Sequence, residues 1–217
     1  MVFPQISRNG LLPCLALAVF FSTVASGSGQ PTIAPQNDAP NPYRTIDGWA
    51  VLPTGRMWGS TGGVDMDRDG QHIWVAGRCG GNSCAGLDLD PVLKFDENGN
   101  LVKSFGGGLM IQPHGLHVDP DGNVWVTDAQ GPDGEDPQRE GKGHIVLKFS
   151  ADGELLMTLG TPGVGAAGRD TLDQPCDVVV APDGTIYVAD GHGGQLPGAG
   201  KHTTARVVKF AADGTYL

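Results

Sequence analysis

The stretch QPHGLHVDPDGNVWVTD at residues 112–128 returns at residues 174–190 as QPCDVVVAPDGTIYVAD, and an earlier copy, GGVDMDRDGQHIWVAG, occupies residues 62–77 with one extra residue after its turn. Every copy holds an alternating apolar segment, an Asp-Gly pair (Asp69-Gly70, Asp121-Gly122, Asp183-Gly184) and a second apolar segment with an aromatic at its centre (Trp74, Trp125, Tyr187). Alternation predicts half-buried strands, and Asp-Gly between them predicts a two-residue hairpin, because glycine accepts the positive φ of such a turn. Asp69, Asp121 and Asp183 are therefore turn formers rather than catalytic acids.

A second element repeats behind the first: VLKFDENGNLVKSFG from Val92, VLKFSADGELLMTLG from Val146 and VVKFAADGTYL from Val207. Two hairpins per unit make four antiparallel strands, and such units in tandem are the signature of an all-β propeller. A β-sandwich, the competing fold, has no such period. Ahead of the first unit, TIDGWAVLPTGRMWG at residues 45–59 reads as a last strand with its exit loop, the device that locks a ring shut. The third unit stops at Leu217, opposite Leu156 of the second. Three units and one strand cannot close a ring of at least four blades, so a partial propeller over residues 45–217 is expected, with completion by further chains as the alternative.

Composition agrees. Glycine and proline supply 35 and 16 of 217 residues, close to the density of low-complexity chains, but 39% of residues are hydrophobic and lie in short runs between the glycines. Long helices are excluded by the same spacing. The formal net charge is −10, and no basic cluster offers itself to phosphates, which argues against nucleic acid and for small molecules, cations or neutral polymers.

At the N-terminus, LLPCLALAVFFSTV at residues 11–24 follows the single charge of Arg8 and precedes the small residues Ala25, Ser26 and Gly27. Residues 1–27 read as a secretory signal peptide cleaved after Ala25 or Gly27. A membrane anchor is the alternative, disfavoured because the run is shorter than the roughly 20 residues of a spanning helix and contains Pro13. Cys14 lies too early in the run for lipidation. Residues 28–44, rich in Pro, Gly and polar side chains, read as a flexible linker. Export to the periplasm or the extracellular space, without a stable membrane span, is the expectation.

The patterns PHGLHVDPDGNVWVTD and QPCDVVVAPDGTIYVADGH resemble the NHL-repeat propellers, and among them the chain is most similar to the six-bladed peptidyl-α-hydroxyglycine α-amidating lyases, over roughly residues 49–210. The resemblance implies C–N cleavage of a hydroxyglycine-extended peptide with release of glyoxylate, a zinc at the ring centre and a calcium further along the channel. His114 matches the first zinc-binding histidine, Arg78 the arginine that stabilises substrate negative charge, and the backbone carbonyls of Val64 and Leu116 two calcium ligands. His192 stands where the family has a catalytic tyrosine. The ring is expected to be monomeric at full length and to hold a small-molecule or peptide substrate in its channel. The other two zinc-binding histidines would lie in blades this chain does not contain.

Blander roles are open for the same residues. His114 could bond a carbonyl at the start of its strand, Arg78 could pair with an excess carboxylate, and His192 could be an ordinary loop residue. Asp128 and Asp190 end their strands as NHL aspartates do, bonding backbone N–H groups. Cys79 and Cys84, in RCGGNSC, are expected to close a small disulfide loop beside Arg78, leaving Cys176 a buried thiol. The insertion QGPDGEDPQREGKG at residues 130–143 reads as a solvated loop at the channel mouth, with no match to a calcium loop.

Three function classes remain at this point. One is an exported metal-dependent lyase, another a non-catalytic NHL propeller that binds a ligand or protein partner. The weakest is a gluconolactonase-like calcium hydrolase, whose several acidic and Asn ligands cannot be assembled from this sequence.

Overall fold

The computed structural model describes residues 38–195, 199–200 and 203–217. The stretch read as a signal peptide and most of that read as a linker lie outside them. The chain divides into two units, Met1–Arg44 and Thr45–Leu217, and the second carries the fold. The described part of the first, residues 38–44, is exposed and without strand or helix.

Eleven strands are described, in three antiparallel sheets. The first contains β1 (Thr61–Met66), β2 (Ile73–Gly77), β3 (Val92–Phe95) and β4 (Leu101–Phe105) in that spatial order. The second repeats it with β5 (Pro113–Val118), β6 (Val124–Asp128), β7 (Ile145–Phe149) and β8 (Leu155–Leu159). The third has β9 (Pro175–Val180), β10 (Ile186–Asp190) and β11 (Arg206–Phe210), with Tyr216 bridging Phe210. These are the expected blades of an all-β propeller. The residues 45–59 run extended along the first blade: Val51 makes a parallel bridge to Asn100, and Trp49, Ala50 and Leu52 pack on Val75, Leu93 and Phe95. Among the described residues no helix is long and apolar enough to cross a membrane.

The hairpin turns differ from the two-residue form expected of Asp-Gly. In the second blade Gly122 N–H donates to the Asp119 carbonyl (2.9 Å) and Asp119 N–H to the Asn123 carbonyl (2.9 Å), so three residues, Pro120, Asp121 and Gly122, form the loop. Gly122 at φ +84° closes it, a type I turn followed by a bulge residue in the left-handed region. The residue that opens the turn matters more than the one before the glycine. Buried Asp119 accepts from Trp125 Nε1 (2.9 Å) and lies 3.6 Å from Lys148 Nζ, which sits over the Trp125 ring. Asp67, Trp74 and Lys94 repeat this trio in the first blade. In the third blade Ala181 replaces the aspartate, and Tyr187 the tryptophan that needed an acceptor.

Between blades lie two apolar layers. Trp74, Val92 and Phe105 meet Leu116, Val126 and Phe149; Trp125, Val146 and Leu159 meet Val178, Val188 and Phe210. Each fully buried large side chain contributes about 1.5–3 kcal/mol. Towards the channel the layers give way to backbone against backbone. A Cβ on Gly62 would fall 2.5 Å from the Pro113 carbonyl oxygen, and one on Gly63 2.6 Å from Leu116 N. At the next seam a Cβ on Gly115 would lie 2.6 Å from Asp177 Cα and 2.7 Å from the Cys176 carbonyl oxygen. Glycine is required there by proximity of a neighbouring strand, not by φ.

Gly115→Ala should therefore cost about 3 kcal/mol of stability in urea unfolding, since overpacking against backbone cannot relax by a rotamer change. Gly70→Ala, where φ is +71° but nothing lies within 4 Å of the new Cβ, should cost only about 1 kcal/mol. Equal costs would contradict a close-packed seam.

Candidate functional site

The inner strands β1, β5 and β9 lie side by side, and the residue following each second strand arrives at the same height in its blade. Arg78 N–H donates to the Ser60 carbonyl (2.9 Å), Ala129 N–H to Gln112 (3.0 Å), and Gly191 and His192 N–H to Gln174 (3.2 and 3.1 Å). This repeated lock holds Arg78, Ala129 and Gly191, and Arg78 together with the next residues of the other two blades, Gln130 and His192, lines one cleft of about 460 Å³, which Asn82, His144 and Gln174 also line.

His114 begins the inner strand of the second blade and reaches across the seam. Its Nδ1 lies 2.9 Å from the Cys176 carbonyl oxygen of the third blade. A carbonyl only accepts, so Nδ1 carries the proton and Nε2 keeps its lone pair in the neutral ring. The His192 ring stands edge-on to it, with centroids 4.7 Å apart. Arg78 Nε donates to the Pro113 carbonyl (3.0 Å), and its Nη1 donates to Asn82 Oδ1. Burial lowers the His114 pKa from its ordinary value; the Cys176 carbonyl opposes that, while His192 and Arg78 add to it. The structure thus brings His114, His192 and Arg78 together.

Cys79 and Cys84 form the expected disulfide, in the loop that also carries Asn82. Cys176 is half-buried rather than buried, its thiol donating to the Ala189 carbonyl (3.4 Å). Val64 and Leu116 sit on the adjacent inner strands β1 and β5. Among the described residues no three His, Cys, Asp or Glu side chains group as a metal set.

Sequence reasoning missed His144, clasped between Gly131 and Gly165 so closely that a Cβ on either would overlap its ring. Its Nδ1 accepts the Gln174 N–H (3.1 Å), which places its proton on Nε2, the opposite tautomer to His114. Burial is the main cause of its lowered pKa. Cys79, His144 and Gln174 are the non-glycine residues with positive φ among those described (52°, 56° and 65°). Two of them line the cleft and the third follows Arg78, the clustering of backbone strain found at binding sites. No motif announces His144, whereas Gln112 and Gln174 stand in repeated Gln-Pro pairs at residues 112–113 and 174–175. The 130–143 insertion is not merely solvated, because Arg139 from it enters the cleft wall.

The strand-ending aspartates are structural, as expected. Fully buried Asp128 accepts the N–H groups of Ile111 (2.8 Å) and Gln112 (2.6 Å), fixing the loop that leads into His114. Asp190 accepts Asp173 N–H (2.7 Å) and pairs with Arg206 Nε (2.8 Å).

No protein-family model matches the chain. By sequence it is similar to mouse NHL repeat-containing protein 3, 32% identical over 141 residues that make up 63% of this chain and 36% of that protein. It is likewise similar to a probable peptidyl-alpha-hydroxyglycine alpha-amidating lyase of Caenorhabditis elegans, 32% identical over 118 residues, 54% of this chain and 27% of the relative. Peptidyl-glycine alpha-amidating monooxygenase B of Xenopus laevis is 29% identical over 157 residues, 68% and 15% of the two chains. The chain thus spans between 15% and 36% of the length of these relatives.

Burial pushes the Asp128 carboxyl up to about 6, against the pull of its two backbone donors. The unfolded chain then loses this proton first as pH rises, so the Asp128 contribution is complete below about pH 4 and declines through pH 6. The stability of the wild type relative to Asp128→Asn should fall by about 3 kcal/mol between pH 4 and pH 7. A difference that is flat, or grows with pH, would contradict the burial argument.

Proposed function

Since the chain is an NHL-type propeller related to the peptidyl-α-hydroxyglycine α-amidating lyases, we propose that its cleft serves amidating-lyase-type chemistry in an exported protein. The supporting observation is the meeting of His114, His192 and Arg78 at one place, with the His114 Nδ1 proton held by the Cys176 carbonyl. That second contact is characteristic of metal-ligating histidines, because it fixes the ring and leaves the lone pair on Nε2. The Cys79–Cys84 disulfide fits an oxidising compartment.

In the proposed reaction a base removes the proton of the substrate hydroxyl, the carbon–nitrogen bond breaks, and the nitrogen leaves as an amide after taking up a proton. The oxygen becomes the aldehyde of glyoxylate. His192 is the base, replacing the family's tyrosine, and the Arg78 guanidinium stabilises the negative charge of the reacting group. His114 Nε2 supplies one zinc ligand, and zinc, when bound, would polarise the hydroxyl. The residues present fit one position of such a site, not a set of three. The Val64 and Leu116 carbonyls, on neighbouring inner strands, are the proposed calcium ligands.

A second reading, a non-catalytic NHL propeller that binds a small molecule or peptide in the same cleft, is favoured by two observations. Among the described residues no three-ligand metal set exists, and a histidine stands in the tyrosine position.

Zinc content of the full chain after loading and dialysis, measured beside His114→Ala, separates the two. The lyase proposal expects bound zinc that the variant loses, with glyoxylate release from a hydroxyglycine-extended peptide falling in parallel. Equal zinc in both proteins would remove His114 from the site. Absence of both zinc and glyoxylate in the wild type would leave the binding propeller.

A further inference from the structure

The 130–143 insertion brings a second guanidinium to the cleft. Asp136 caps the short turn Pro137–Arg139, its side chain accepting Gln138 N–H (2.9 Å). Arg139 is thereby folded inward: Nη1 donates to Asp133, Nη2 to Gln130 Oε1, and the side chain is only 15% exposed. Its Nε is buried without a partner, so the guanidinium is not saturated by the protein.

The charge balance of the cleft is the reverse of the chain's. Overall, 24 acidic residues outweigh 14 basic ones, yet the cleft is lined by Arg78, Arg139, Gln112, Gln130, Gln174 and Asn82 against one carboxylate, Asp133, already paired with Arg139. A polar, concave, positive spot on an acidic protein concentrates anions. The planar fork of a guanidinium fits a carboxylate with two parallel hydrogen bonds.

We infer that Arg139 is a specificity-determining residue that gives the cleft a second carboxylate subsite beside Arg78, so that the preferred ligand carries two carboxylates. Asp133 occupies this subsite from within the protein and is displaced or shared when the ligand binds. The inference rests on the cleft being the ligand site, as proposed above, but on neither zinc nor lyase chemistry.

Calorimetric titration of the full chain with succinate and with succinamate, which has the same length but one carboxylate, tests it. Succinate should bind about tenfold more tightly, the scale of one charged hydrogen-bond pair. Arg139→Gln should abolish that preference, weakening succinate binding about tenfold. Asp133→Asn, which frees the guanidinium, should strengthen succinate binding; a residue that merely pinned the loop would give the opposite. No preference in the wild type, a preference that survives Arg139→Gln, or weaker succinate binding by Asp133→Asn would each overturn the inference. If neither compound binds the wild type, the cleft itself fails as a ligand site and the inference with it. A preference found in a protein that holds no zinc and releases no glyoxylate would sustain the subsite without the lyase.

Discussion

The backbone-to-backbone seam between inner strands is the constraint on which the rest depends. Gly62 and Gly63 let β1 lie against residues 113–116, and Gly115 lets β5 lie against Cys176 and Asp177. A side chain at any of these points would wedge the blades apart. Because they touch, polar groups reach across: Asp65 Oδ2 accepts Val118 N–H (2.8 Å), Arg78 meets the Pro113 carbonyl, and His114 meets the Cys176 carbonyl. The apolar layers of tryptophan, phenylalanine and valine supply most of the stabilisation, but the seam sets how near the site residues come.

Repetition turns that closeness into a site. One backbone lock, used in each blade, carries the residue after the second strand to the channel end. The sequence is free to vary at this address, which holds Arg78, Ala129 and Gly191, and in the second and third blades the next residue, Gln130 or His192, is the one that lines the cleft. Strain accumulates beside them, at Cys79, His144 and Gln174. The imidazoles of His114 and His144 are held in opposite tautomers by a carbonyl and an N–H. A cleft so ordered before any ligand arrives loses little entropy on binding.

Most of the fold was legible because a repeat states its own boundaries. Strand pairing and blade order follow from period and alternation, and the Asp128 and Asp190 caps from the resemblance to NHL blades. The turn type was not, since Asp-Gly serves both two- and three-residue loops, and the deciding contact, Trp125 Nε1 to Asp119, joins residues whose pairing no local pattern marks. His114, Arg78 and His192 were legible through their resemblance to a family. His144 and Arg139 were not: one is placed by glycines in two separate loops, the other by an insertion without a repeat to compare it with. Long-range placement of single side chains is what a one-sequence reading lacks.

The most direct test is the state of the His114 ring, because it depends on the seam, the reach across blades and the readiness of Nε2 together. Nitrogen-15 NMR of the folded chain, with the signal assigned by a His114→Gln variant, reads both tautomer and titration. The account predicts the Nδ1–H tautomer and a pKa below the ordinary histidine value. An Nε2–H ring, or a pKa at or above the ordinary value, would contradict it.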